Sequence, residues 1–126
     1  MNRSLLSLAA LSLASLATAA CSPSYDHLDF SPQTTPPLAF TLTSAQVDLP
    51  AGVAVAVSPV AMAGQDKLDG SIVGLTSTDV TILGIAPISG QAQGFVLFGV
   101  SPGTAGVTVT VDGDEKQVIP AQVTAQ

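Results

Sequence analysis

Apolar and polar residues alternate with a period of two along the last part of the chain, "AGVTVTVDGDEKQVIPAQVTAQ". Val107, Val109 and Val111 alternate with Thr108 and Thr110, and Ile119, Ala121 and Val123 resume on one face after a polar interruption. A period of two sends successive side chains to opposite faces of a strand, so each run predicts a strand with one buried face. Between them Asp112-Gly113 supplies residues that tolerate the positive φ of a tight turn. The pattern predicts a terminal β-hairpin. Pro120 has no N–H to give a ladder, so its strand is expected to lie at an edge, or to bulge, at that point.

Shorter runs of the same kind occur upstream. "VDLPAGVAVAVSPV" predicts a strand at 46–49, a Pro-Ala-Gly turn, and a strand at 53–57 stopped by Ser58-Pro59. "GFVLFGVSPGTAG" predicts a strand at 95–100, and 71–75 and 80–85 read as strands separated by the polar "TSTD". "AMAGQDKLDG" reads as a loop. Past the N-terminal region no segment carries a 3.6-residue apolar stripe, so no helix is expected. About seven short strands with frequent turn signals predict an all-β sandwich or barrel.

The ordered pieces "VDLPAGVAVAVSPV", "TSTDVTIL" and "FGVSPGTAGVTVTVDG" resemble the bacterial immunoglobulin-like domains of group 2 and their relatives. The matching residues are Gly52, then 76–79, then Gly103, Thr104 and Ala105, and the resemblance spans 46–124. It implies an immunoglobulin-like β-sandwich over residues 40–126. The matched motifs are turns that shape the fold, and they bring no chemistry with them. Gly74 and Leu75 stand where the family often has a large residue, and "APISGQAQG" is longer than the usual link.

The N-terminus has a different pattern. One positive charge, Arg3, precedes the serine-diluted apolar run "LLSLAALSLASLATAA", which ends in small residues. That is the layout of a secretory signal, and residues 1–20 are expected to be a signal peptide. Thr18-Ala19-Ala20-Cys21 resembles a lipobox, at which bacterial lipoproteins are diacylated on cysteine and cut before it, with Thr18 where Leu is usual. Ala17-Thr18-Ala19 also fits ordinary signal peptidase, which would leave Cys21 a free thiol. An exported chain with one cysteine has no internal disulfide partner, and acylation accounts for the leftover thiol. Two acyl chains suffice for stable anchoring. Cys21 is therefore the expected lipidation site, and Ser22 after it, in place of Asp, favours the outer membrane by the same resemblance. The Pro-, Ser- and Thr-rich stretch 21–39 is expected to be a disordered tether.

Without residues 1–20 the chain has two lysines against nine acids, a net charge of −7. Nucleic acid and anionic lipid surfaces select clustered Lys and Arg, so neither is an expected partner. A domain of this size, with no Trp, is expected to bury about 60–65% of its unfolded surface behind an aliphatic core.

Candidate chemistry is sparse. The sole histidine, His27, falls in the expected tether, and 40–126 contains no histidine or cysteine, so neither a Ser-His nor a Cys-His pair can be built there. Lys67 and Lys116 sit in acidic turns and are expected to be solvated. Asp66 and Asp69 in "QDKLDG", and Asp112, Asp114 and Glu115 in "DGDE", are hard oxygen donors near glycines and are the candidate calcium ligands, although neither stretch has EF-hand spacing. Tyr25 and Phe30 fall in the tether, while Phe95 and Phe98 lie on opposite or mixed faces of one strand, with at least one expected in the core. No cofactor and no small-molecule substrate are expected. The expectation is a non-catalytic cell-envelope lipoprotein held by its acyl chains, whose domain is structural or binds another envelope protein. Such binding would use the edge of 53–57 or the terminal strand, or the loops 61–70 and 89–94. A calcium-stabilised adhesion domain is the alternative.

Overall fold

The computed structural model describes residues 24–36 and 38–126. The expected signal peptide and Cys21 lie outside them. Among the described residues all regular structure is strand: β1 (His27–Asp29), β2 (Thr41–Leu42), β3 (Val47–Pro50), β4 (Ala54–Val57), β5 (Val60–Ala63), β6 (Asp66–Lys67), β7 (Val73–Ser77), β8 (Leu83–Pro87), β9 (Phe95–Gly99), β10 (Gly103–Val111) and β11 (Asp114–Thr124).

One layer is a five-stranded sheet in the order β2-β3-β11-β10-β7, and two three-stranded sheets, β1-β5-β6 and β4-β9-β8, form the other. Their inward side chains meet in one core. Val47, Leu49, Val73, Leu75, Val107, Val109, Ile119, Ala121 and Val123 come from the first layer, and Leu28, Val55, Val57, Leu83 and Leu97 from the second. Among the described residues no polar or charged side chain is buried. The fold is the expected all-β sandwich, divided into more strands than the sequence suggested.

The terminal hairpin forms as its alternation requires. Val107, Val109, Val111, Ile119, Ala121 and Val123 all point inward and are buried. Asp112 and Gly113 take φ of 53° and 88°, so the turn needs an Asp and a Gly in succession. The pairing register shifts between Val109 and Thr110, and Lys116 is left as the extra residue of a bulge. Pro120 lies opposite Gly106, and the parallel pairing of β11 with β3 begins one residue later, at Ala121. The missing N–H thus falls where β11 has a neighbour on one side only.

Several expectations need correction. Residues 26–34, expected in the tether, are part of the sandwich. Residues 26–33 run antiparallel to 56–63 in one register, through β1–β5 pairing, the Pro32–Val57 bridge and the Gln33 N–H donating to Ala56 O at 2.7 Å. Leu28 and Phe30 sit two residues apart on the inward face, each 2% exposed, and this burial outweighs the polar composition around them. The expected loop "AMAGQDKLDG" holds β5 and β6, because the N-terminal segment offers 60–63 a partner. The strands expected at 71–75 and 80–85 lie two to three residues further on, as β7 and β8. Val80 is 69% exposed in the turn between them.

The edge of β4 and the last four residues of β11, both expected to bind a partner, are occupied. β11 lies between β3 and β10, and the free side of β4 is covered by 31–34, where the Ala56 N–H donates to Thr34 Oγ1 at 3.0 Å. β1, β2 and β6 are edge strands of two or three residues, and the longer margins β7 and β8 are blunted. Val73 N–H donates to Gln93 Oε1, Leu83 N–H donates to Asp79 O, and Pro87 has no N–H.

The two ends of the sandwich differ. At one end Tyr25 and the turns around 43–46, 64–70 and 112–113 come together. At the other are the turns around 51–53, 79–82 and 100–103, with Gln126 beside Gly52. β10 connects the two over nine residues, roughly 27 Å at about 3.3 Å per residue.

Candidate functional site

The Tyr25 end carries most of the charge and both clefts of note. The first, about 250 Å³, is lined by 58–61, 67–71, Val73 and Gln93, and the second, about 270 Å³, by Ser24, Tyr25, Leu68, Ser71, Val111, Asp112, Asp114 and Lys116. They share Leu68 and Ser71. Both are open to solvent, and their charged members are side chains at turn tips.

The β1 end of this region is fixed by a small polar network. Tyr25 Oη donates to Gln117 Oε1, Gln117 Nε2 donates to Ser44 O at 3.0 Å, and Leu28 N–H donates to Ser44 Oγ at 3.3 Å. The N-terminal segment, the turn before β3 and β11 are thereby joined. Partial burial pushes the Tyr25 phenol above its ordinary value; the Ser44 hydroxyl opposes the rise and the Asp26 carboxylate adds to it.

The five candidate metal ligands come to this end but do not converge. Asp112 is committed to the fold: its Oδ1 accepts from Ile72 N–H at 2.9 Å while its own N–H donates to Ile72 O at 2.8 Å, fastening the hairpin tip to the start of β7. Asp114 faces the second cleft beside Lys116, and Asp69 the first beside Lys67. Asp66 and Glu115 are exposed on β6 and β11. Among the described residues no three His, Cys, Asp or Glu side chains are grouped to hold a metal ion. Calcium needs six to eight oxygens, and two carboxylates with a lysine beside them supply few.

His27 meets the neighbouring Asp26 carboxylate through Nδ1 at 3.0 Å on the surface. At the opposite end Asp79 accepts at 2.6 Å from the Thr81 hydroxyl and at 3.0 Å from its N–H. The hydroxyl, then the N–H, hold the Asp79 carboxyl below its ordinary value. This is a turn motif of an exposed loop.

Tyr25, expected in the tether, instead lies at the end of the sandwich that holds both clefts. The signal for Tyr25 lay in "YDHLDF", where Leu28 and Phe30 stand two apart like the residues of any half-buried strand. Phe95 packs against the core, as expected of at least one of the pair, and Phe98 faces out, 38% exposed. The Phe98 ring lies over Gly84 of β8, where a Cβ would collide with it.

No protein-family model matches the sequence, and no curated protein does. The chain is similar to a solved structure, the crystal structure of the S-layer protein SbsC domains 4 and 5. It is 16% identical with a TM-score of 0.49 over 82% of this chain and 54% of that one, about half the length of that structure.

Proposed function

We propose that this chain is a non-catalytic module of the bacterial cell envelope: an immunoglobulin-like β-sandwich, related to the group 2 domains, held at the outer membrane through acyl chains on Cys21 and serving as a structural or protein-binding unit. The observation that carries the reading is the distribution of polar groups. Among the described residues no polar side chain is buried, and every Asp and Glu reaches solvent. Acid–base or nucleophilic catalysis needs groups held against each other within about 3 Å of a reacting atom. In this fold the only histidine bonds its sequence neighbour. The sequence features supporting export and anchoring are the apolar run after Arg3 and the cysteine that follows Ala19-Ala20.

The test is intact-mass analysis of the protein extracted from membranes, together with fractionation of Cys21→Ala. The expected result is loss of residues 1–20, an N-terminal cysteine bearing lipid mass, and a variant that appears in the soluble fraction. A mature protein with an unmodified thiol, distributed like the variant, would overturn the anchor.

A further inference from the structure

The ribbon of 26–33 decides how far an anchor at Cys21 can stand from the fold. A tether through residue 39 would reach roughly 60 Å, about twice the length of β10. The chain instead joins the sandwich at once. Asp26 N–H donates to Met62 O at 2.8 Å, Tyr25 Oη donates to Gln117, and Ser24 already lines the second cleft. Cys21 is three residues before Ser24. Whatever path the chain takes between them, three residues span at most about 11 Å. That is less than half the roughly 27 Å over which β10 connects the two ends.

We infer that the Tyr25 end faces the lipid surface into which Cys21 is anchored, with both clefts and the turns around 64–70 and 112–113 toward the headgroups and Gln126 pointing away. The inference rests on the acylation of Cys21 proposed above. Chain length fixes which end is near the lipid, and charge fixes which lipid suits that end. Lys67 and Lys116, the two lysines of the chain, are both exposed here, among the carboxylates of Asp66, Asp69, Asp112, Asp114 and Glu115. A zwitterionic headgroup offers a phosphate to the lysines and an ammonium to the carboxylates. Anionic lipid suits only the lysines, and with carboxylates in excess it repels this end within a Debye length of about 8 Å. The surface that fits is therefore a zwitterionic bilayer.

This orientation narrows where a protein can bind. Of the loops expected to do so, 61–70 and 89–94 both reach the first cleft, through 67–70 and through Gln93, and so turn toward lipid. The turns around 51–53, 79–82 and 100–103 are left facing outward.

The experiment uses the mature acylated chain, extracted from membranes and placed in phosphatidylcholine vesicles. With the Cys21 sulfur acylated, one added cysteine takes a fluorophore: Gln65→Cys in the near turn, or Val80→Cys, 69% exposed, in the far one. A quencher attached to the headgroups should dim the label at 65 at least about fivefold more than the label at 80, the two ends being roughly 27 Å apart. Phosphatidylserine in the vesicle should reduce the quenching at 65, and so should a flexible Gly-Ser insert of about twenty residues after Pro23. Equal quenching at the two sites, stronger quenching at 80, or quenching at 65 increased by phosphatidylserine would each overturn the inference. A chain that fails to float with the vesicles overturns the anchor and the orientation together, whereas one that floats with equal quenching loses the orientation alone.

Discussion

The N-terminal ribbon and the terminal hairpin supply side chains to the same core by opposite routes. The hairpin β10–β11 is local: its strands are joined by a two-residue turn, and buried aliphatic residues alternate over 107–111 and 119–123. The ribbon of 26–33 is remote, pairing with residues about thirty positions later, and it contributes Leu28 and Phe30. Most of the remaining side chains of the ribbon are polar. Comparing the two teaches that a strand is recruited by the few residues it buries, and that average composition can conceal them.

The comparison can be broken most forcefully at Phe30. Phe30→Ala should cost about 3–5 kcal/mol, as much as truncating a central hairpin residue such as Ile119. If the ribbon were only a tether, the change would stay within about 0.5 kcal/mol, as at an uninvolved surface site. Denaturant unfolding of the two variants side by side decides between these. A smaller effect belongs to the hairpin. Asp112→Ala removes the acceptor for Ile72 N–H and places Ala at positive φ, and should cost about 1–3 kcal/mol. The register of β10 and β11, followed by their cross-strand nuclear Overhauser contacts, should survive.

Tyr25→Phe is expected to cost about 0.5–1.5 kcal/mol, the worth of one hydrogen bond between the ribbon and Gln117. It also has a pH signature. The folded-state pKa of Tyr25 lies above its unfolded value, so the stabilisation is fully present below about pH 10 and is lost as pH rises through the folded pKa. Wild type should lose stability more steeply than Tyr25→Phe in that alkaline range, with Tyr25, the only tyrosine, as its own spectroscopic reporter. The smallest expected effect is that of a chelator. Removing calcium should leave the melting midpoint of both regions unchanged, and a midpoint raised by added calcium would show that the turn carboxylates bind the ion in the native state.

The same contrast explains how much could be read in the sequence. Val107, Val109 and Val111 with Asp112-Gly113 state their structure locally, because alternation and turn chemistry are short-range properties. The sandwich architecture followed from repeating that signal. Val80 misled because an apolar side chain beside a polar turn looks like the start of a strand, while here the turn runs on to Ile82, whose N–H donates to Asp79 O. β5 was hidden for another reason: Ala61 alone of 60–63 is fully buried, so Ala and Met carry no alternation to detect. Of the candidate ligands, Asp69 and Asp112 lie in turns, while Asp66, Asp114 and Glu115 begin the strands that follow them. That three separate turns and Tyr25 would share one end depends on topology, which no local pattern encodes, and the commitment of Asp112 to Ile72 spans forty residues.

Because Tyr25 and Gln126 lie at opposite ends, tension applied between them would run along the strands. The ribbon of 26–33 would then be loaded in shear against 56–63, so that its hydrogen bonds and the Leu28 and Phe30 anchors must yield together and cannot unzip one at a time. A domain wired in this way should resist pulling along that axis far better than peeling from the side.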